Sequence, residues 1–100
     1  MLRADDVLDN YNDYTIKVGS DSQVQKVANS IRIAIFGEHK MPIVRAVGAG
    51  GVNQACKAIA IARGLVATQG LDLGTNIGFT EVTGDDGSTI TALVFHLFVR

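Results

Sequence analysis

Hydrophobic and polar positions alternate over Tyr14-Thr15-Ile16-Lys17-Val18, a run rich in β-forming residues, and this pattern predicts a first strand. Ser20-Asp21-Ser22-Gln23 follows with side-chain oxygens suited to a helix start, Ser20 and Gln23 standing at capping-box spacing. A helix is expected from there, since Val24, Val27, Ala28, Ile31, Ala34 and Ile35 recur at the three-and-four spacing of one helical face and Gly37 ends the run. Ile33 and Phe36 fall off that stripe, among Lys26, Asn29 and Arg32, so a single chain would leave them partly wet. They are the first candidates for a contact between subunits. Met41 to Val47 reads as a second strand with Pro42 near its start, where a missing N–H does least harm. A strand-helix-strand unit of this length predicts parallel pairing through a right-handed crossover.

A second helical pattern runs from about Val52 to Thr68 and would bury Val52, Ala55, Cys56, Ile59, Ala62 and Val66. Ala58, Ile61 and Leu65 form a second apolar stripe on it. A helix apolar on two sides in so short a chain is best explained by sharing one side with a second copy. Gly64 weakens this helix by about 1 kcal/mol relative to alanine, which suggests a helix end or a close backbone approach. Leu71 to Thr83 reads as a strand whose glycines at 74 and 78 suggest a bulge or bend, and Gly84-Asp85-Asp86-Gly87-Ser88 as a hairpin turn. Thr89 to Val99 is apolar on both faces and belongs inside the sheet. Residues 1–12 carry no clean period and are expected to be a flexible acidic leader, leaving residues 13–100 as the folded unit.

One hundred residues support one core. Apolar residues make up 47% of the chain and charged residues only 19%, a low charge for a monomer, which adds to the expectation of a homodimer or homotetramer. No apolar run approaches the roughly 18 residues of a membrane helix, and the start of the chain is acidic where a secretory signal would be basic, so a cytoplasmic protein without a membrane partner is expected. Cys56 is the single cysteine; it excludes an intrachain disulfide and fits a small core residue. The net charge of −1 hides a segregation. Between Tyr14 and Gly70 stand Lys17, Lys26, Arg32, Lys40, Arg45, Lys57 and Arg63 against Asp21 and Glu38, a net of +5. The middle of the chain is a basic unit flanked by acidic ends, and a basic unit suits a polyanion.

The junction Gly48-Ala49-Gly50-Gly51-Val52-Asn53 joins a strand to an Ala-rich helix. It begins like a dinucleotide fingerprint but has Asn53 at the third glycine position, and Asp72 falls at a strand start rather than a strand end, so no nicotinamide or flavin site is expected. No Walker lysine follows. Two readings stay open: a backbone cradle for a nucleic-acid phosphate, with Asn53 and Lys57 one turn apart beside it, or a corner whose glycines only permit tight packing. His39 and His96 lack a second ligand at metal spacing. Ser20 and Ser22 suit caps better than nucleophiles. Asp85 and Asp86 suit a turn, and only Tyr11 and Tyr14 are loose enough to stack on bases. No catalytic residue, metal or cofactor is expected, so the chain is read as non-enzymatic.

The element order β-α-β-α-β-β, together with Ala46-Val-Gly-Ala-Gly-Gly-Val-Asn-Gln-Ala-Cys-Lys-Ala-Ile-Ala-Ile-Ala-Arg-Gly-Leu-Val-Ala67, resembles the stage V sporulation protein S family over residues 14–99. The Ile16-Lys17-Val18 opening and Leu71-Asp72-Leu73 agree with it. The resemblance implies an α+β fold like that of the Alba chromatin proteins, a two-layer sandwich of a four-stranded mixed sheet with two helices on one face. It also implies an oligomeric regulator in sporulation or development that binds DNA or RNA. Carried over by position, the implied contacts are Lys17 with Ser20 and Ser22, then Gly48, Gly50, Gly51 and Asn53, then the tip from Gly84 to Ser88. The chain departs from the Alba pattern in having Ser20-Asp21 where lysines are expected and Asp85-Asp86 at the tip, which argues against wrapping of a duplex in that manner.

Two function classes result. The first is a weak, phosphate-dominated nucleic-acid binder acting through the basic helical layer, including Lys57 and Arg63, and the glycine junction. The alternative is a protein-interaction module that oligomerises through the second helix and recruits a developmental partner, with no nucleic acid involved; Ile33, Phe36, Ala58, Ile61 and Leu65 are the expected contacts between copies.

Overall fold

The computed structural model describes residues 14–100, so the expected leader and Tyr11 lie outside the described residues. The elements are β1 (Thr15–Val18), α1 (Val24–Gly37), β2 (Ile43–Ala46), α2 (Gly48–Ala67), β3 (Leu73–Thr83) and β4 (Thr89–Val99). The strands form one sheet in the order β1-β2-β4-β3, with β1 and β2 parallel and the other two pairings antiparallel. This is the expected α+β sandwich of the Alba-like kind, and β4, apolar on both faces, takes the interior place its sequence requires.

Side-chain alternation sends Ile16, Val18, Val44, Ala46, Leu93, Phe95, Leu97 and Leu73 to the face on which both helices lie. Against them α1 buries Val27, Ala28, Ile31 and Ile35, and α2 buries Ala55, Ala58, Ala62 and Val66. Alanines recur along the inward side of α2, so that helix can approach the sheet and α1 closely. Phe95 and Ile31 are the largest fully buried apolar side chains.

Several boundaries differ from expectation for local reasons. The first helix starts at Val24 because Ser22 turns back: its Oγ accepts from the Gly19 N–H at 2.9 Å, and its own N–H donates to the Gly19 carbonyl at 3.1 Å. The capping box does not form; Gln23 is the N-cap and contributes no side-chain bond. The second helix starts four residues early, its glycines making the first turn rather than a preceding loop, with Gly48 at φ +75° setting the corner. Gly64 neither ends that helix nor admits a neighbour, for nothing lies within 4 Å of where its Cβ would be. Cys56 is exposed, not core, because the inward stripe of α2 passes through Ala55 and Ala58 and leaves position 56 on the flank. β3 carries no bulge: it pairs residue for residue with β4 from Leu73↔Val99 to Thr83↔Thr89. Gly74 instead makes room for the Phe98 ring, which a Cβ there would meet at 2.5 Å. The hairpin closes as predicted, through Gly84 N–H to the Ser88 carbonyl at 2.7 Å and Gly87 at φ +83°.

Candidate nucleic-acid interface

The N-terminus of α2 is pressed into the loop after β1. A Cβ on Gly50 would lie 2.7 Å from that of Ser20, and one on Gly51 would lie 2.9 Å from the Val18 carbonyl oxygen. The Gln54 amide donates to the Ser22 carbonyl at 2.9 Å across the same seam. The structure therefore brings Ser20, Ser22, Gly50 and Gly51 together, and close packing accounts for glycine at 50 and 51. Gly50→Ala is expected to destabilise the domain by about 1–3 kcal/mol through overpacking. Adding Ser20→Gly to that chain should recover most of the loss, read as the midpoint of chemical denaturation.

The first turn of α2 carries no acidic residue, and no side chain caps it. Its N–H groups and positive dipole end are thus not satisfied by any side chain of the N-cap position. Asn53 and Lys57 stand exposed one turn apart on the outward side of the same helix. Neither helix contains a single aspartate or glutamate, while Lys26, Arg32, Lys57 and Arg63 are all exposed on them. The guanidinium of Arg32 bends onto the Asn29 side-chain oxygen at 2.9 and 3.1 Å.

Arg63 differs from the other three in facing a carboxylate. Its Nε lies 3.3 Å from Asp72, which also accepts from Arg100 at 3.0 Å. The hydrogen bond from Arg100, and then that from Arg63, hold the Asp72 carboxyl below its ordinary value of 3.8. A depressed folded-state pKa means that this group stabilises the fold above the ordinary carboxylate range and that the contribution disappears as pH falls through the lowered value. Any gap in melting temperature between the native chain and Asp72→Asn at pH 7 is expected to close as pH is lowered past 3.8. With two arginines on one aspartate, the cluster keeps a net positive charge.

Lys17 stands elsewhere. Val18 points into the core, so alternation puts Lys17 on the helix-free face of the sheet, where its register partner is Arg45. The basic residues thus divide between two surfaces, a split that a linear count of charge does not show. Arg45 was not singled out by the sequence; the signal that finds it is its pairing with Lys17 once the buried face of β2 is known. The hairpin tip is acidic, and Asp86 there is held below its ordinary pKa by the Ser88 hydroxyl and then the Ser88 N–H, at 2.6 and 2.9 Å. Tyr14, considered for stacking, has the Lys40 ammonium 4.2 Å from its ring centre.

Of the expected subunit contacts, Ile33 and Leu65 are exposed, Phe36 and Ile61 are half-buried and pack on the core. Ala58 is 0% exposed within one chain and so drops out of any surface between chains. Sequence reasoning missed Phe79 and Ile77, which are 80% and 61% exposed on β3. Their register partners Leu93 and Phe95 show that they lie on the helix side of the sheet, in a part that the helices do not cover. No helix among the described residues is long and apolar enough to cross a membrane, and no three His, Cys, Asp or Glu side chains among them converge as metal ligands would.

Residues 14–100 match the family described as Stage V sporulation protein S, a span that includes every element of the fold and the whole α2 junction. The chain belongs to the stage V sporulation protein S family.

Proposed function

We propose that this chain is a non-enzymatic, sporulation-related regulatory domain that binds DNA or RNA weakly, as a homodimer or homotetramer, through phosphate contacts on its helical layer. The observation that carries this reading is the exclusion of every carboxylate from α1 and α2 together with the exposure of four cations on them. A polyanion approaching that layer meets Lys26, Arg32 and Lys57 without first displacing a described acidic partner. The first turn of α2, from Gly48 to Gly51, carries no side chain larger than the Ala49 methyl and offers N–H groups to one phosphate, with Asn53 and Lys57 beside it. Contacts of this kind position a backbone without reading bases, and dissociation constants of about 10⁻⁴–10⁻⁶ M at physiological salt are typical of them.

The experiment is a salt titration of the purified chain with duplex DNA, single-stranded DNA and RNA. Binding that weakens linearly in log affinity against log salt is the expected result. No binding to any of the three at low salt overturns the proposal.

A second reading, a protein-recruiting oligomerisation module, is favoured by the exposed Phe79 and Ile77. It predicts that a partner is captured from cell extract equally well with and without nuclease treatment, and that Leu65→Asp abolishes capture while charge reversals on the helices leave it intact.

A further inference from the structure

The helix-free face of the sheet is a second chemical environment. Alternation from the buried positions assigns to it Thr15 and Lys17 of β1, Ile43 and Arg45 of β2, Val94, His96 and Phe98 of β4, and Asn76 and Thr80 of β3. No aspartate or glutamate is among the strand residues on this face; Glu81, the sheet's one acid, is on the other side. A cleft of about 290 Å³ opens here, lined by Thr15, Ile43, Arg45, Thr80, Val94 and His96, with Phe79 of the edge strand also reaching its wall. Its floor is apolar, Ile43 being buried and Val94 half-buried.

Lys17 and Arg45 are direct register partners on adjacent strands. Neighbouring strands are about 4.8 Å apart, so these like charges stand side by side, an arrangement that costs a sheet stability unless something answers it. Among the described residues neither has an ion pair: Asp72 takes Arg63 and Arg100, and no carboxylate reaches Lys17 or Arg45. Arg45 lines the apolar-floored cleft and Lys17 is its register neighbour on β1; two adjacent cations without an ion pair among the described residues match a doubly charged head group carrying a small apolar body. The size is near the lower end of ligand sites, about 300 Å³.

We propose that this cleft binds a small phosphate monoester, with Arg45 and Lys17 gripping the dianionic phosphate and the organic part lying on Ile43 and Val94 between Thr80 and His96. The guanidinium of Arg45 takes two phosphate oxygens at once, and Lys17 adds a point charge. A carboxylate carries half the charge and fills the site less well. This site is independent of the helical layer and does not rest on nucleic-acid binding.

The test is amide chemical-shift mapping on the full chain, titrated with phenyl phosphate, benzoate, inorganic phosphate and phenol. Phenyl phosphate is expected to shift Arg45, Val94, His96 and Thr80 with a millimolar dissociation constant, benzoate more weakly, and phenol not at all. Arg45→Gln should weaken phenyl phosphate at least tenfold and Lys17→Gln several-fold, with both chains giving native spectra. The Lys26→Glu/Lys57→Glu chain should bind it as the native chain does, which separates this site from the helices. Shifts confined to α2, equal affinity in Arg45→Gln and Lys17→Gln, or no shift on the sheet at 20-fold millimolar excess overturns the proposal.

Discussion

Truncating Phe95 to alanine is expected to cost about 3–5 kcal/mol, the range for removing a buried phenyl group, and thereby to consume most of the 5–15 kcal/mol that stabilises a small domain. Phe95 is 2% exposed on β4, where Val44 pairs with it from one side and Ile77 from the other. Its ring belongs to the core that includes Ile31 of α1 and Ala62 and Val66 of α2. Loss of the ring removes apolar area and leaves a cavity that alanines on α2 cannot fill, because they have no rotamers to shift. Denaturant titration followed by circular dichroism should show either a much lower midpoint or a chain already unfolded in buffer. Phe79→Ala is the control: that ring is 80% exposed, and its truncation should change stability by less than about 0.5 kcal/mol.

Reversal of charge at Lys26 and Lys57 together should produce the largest functional effect. Both are exposed on the outer side of their helices, and neither has a carboxylate partner among the described residues. Each phosphate contact contributes about 0.9 to the slope of log affinity against log salt, so two lost contacts should flatten that slope by roughly two units. The added glutamates repel the backbone as well, and binding near physiological salt should fall by about a hundredfold on all sequences alike. Arg63→Glu should do less, because Asp72 already shares that guanidinium. Fluorescence anisotropy at three salt concentrations measures all three chains; an unchanged slope in the double reversal would remove the helical layer from the interface.

The order of elements and the core stripe of α1 were legible because each rests on a period the chain keeps for many residues, as in Val27, Ile31 and Ile35. On α2 only Ala55, Ala62 and Val66 of the expected stripe are buried, with Ala58 buried in place of Cys56. The ends of the helices were not. Ser20 and Ser22 have the chemistry of caps, and only the three-dimensional turn at Gly19 shows Ser22 bonding backward. The glycines at 48, 50 and 51 have the composition of a loop, yet two of them are the price of pressing a helix end against the strand β1 and its following loop. The candidate site was partly legible. Lys57 and Asn53 are on the outer side of α2 as their spacing implies, whereas Lys17 belongs with Arg45, a pairing set by strand register between distant segments. The Asp72 cluster is equally non-local, its arginines lying nine and 28 positions away.

The position of β4 between β2 and β3 has a consequence for how the molecule is made. The first five elements can be synthesised without acquiring a floor for their apolar sides, since β3 has no other strand to join and β2 would expose its second edge. Assembly therefore waits on Phe95 and Leu97, the late-arriving keystones, and a nascent chain stopped before Thr89 should be a substrate for chaperones and proteases rather than a smaller folded body.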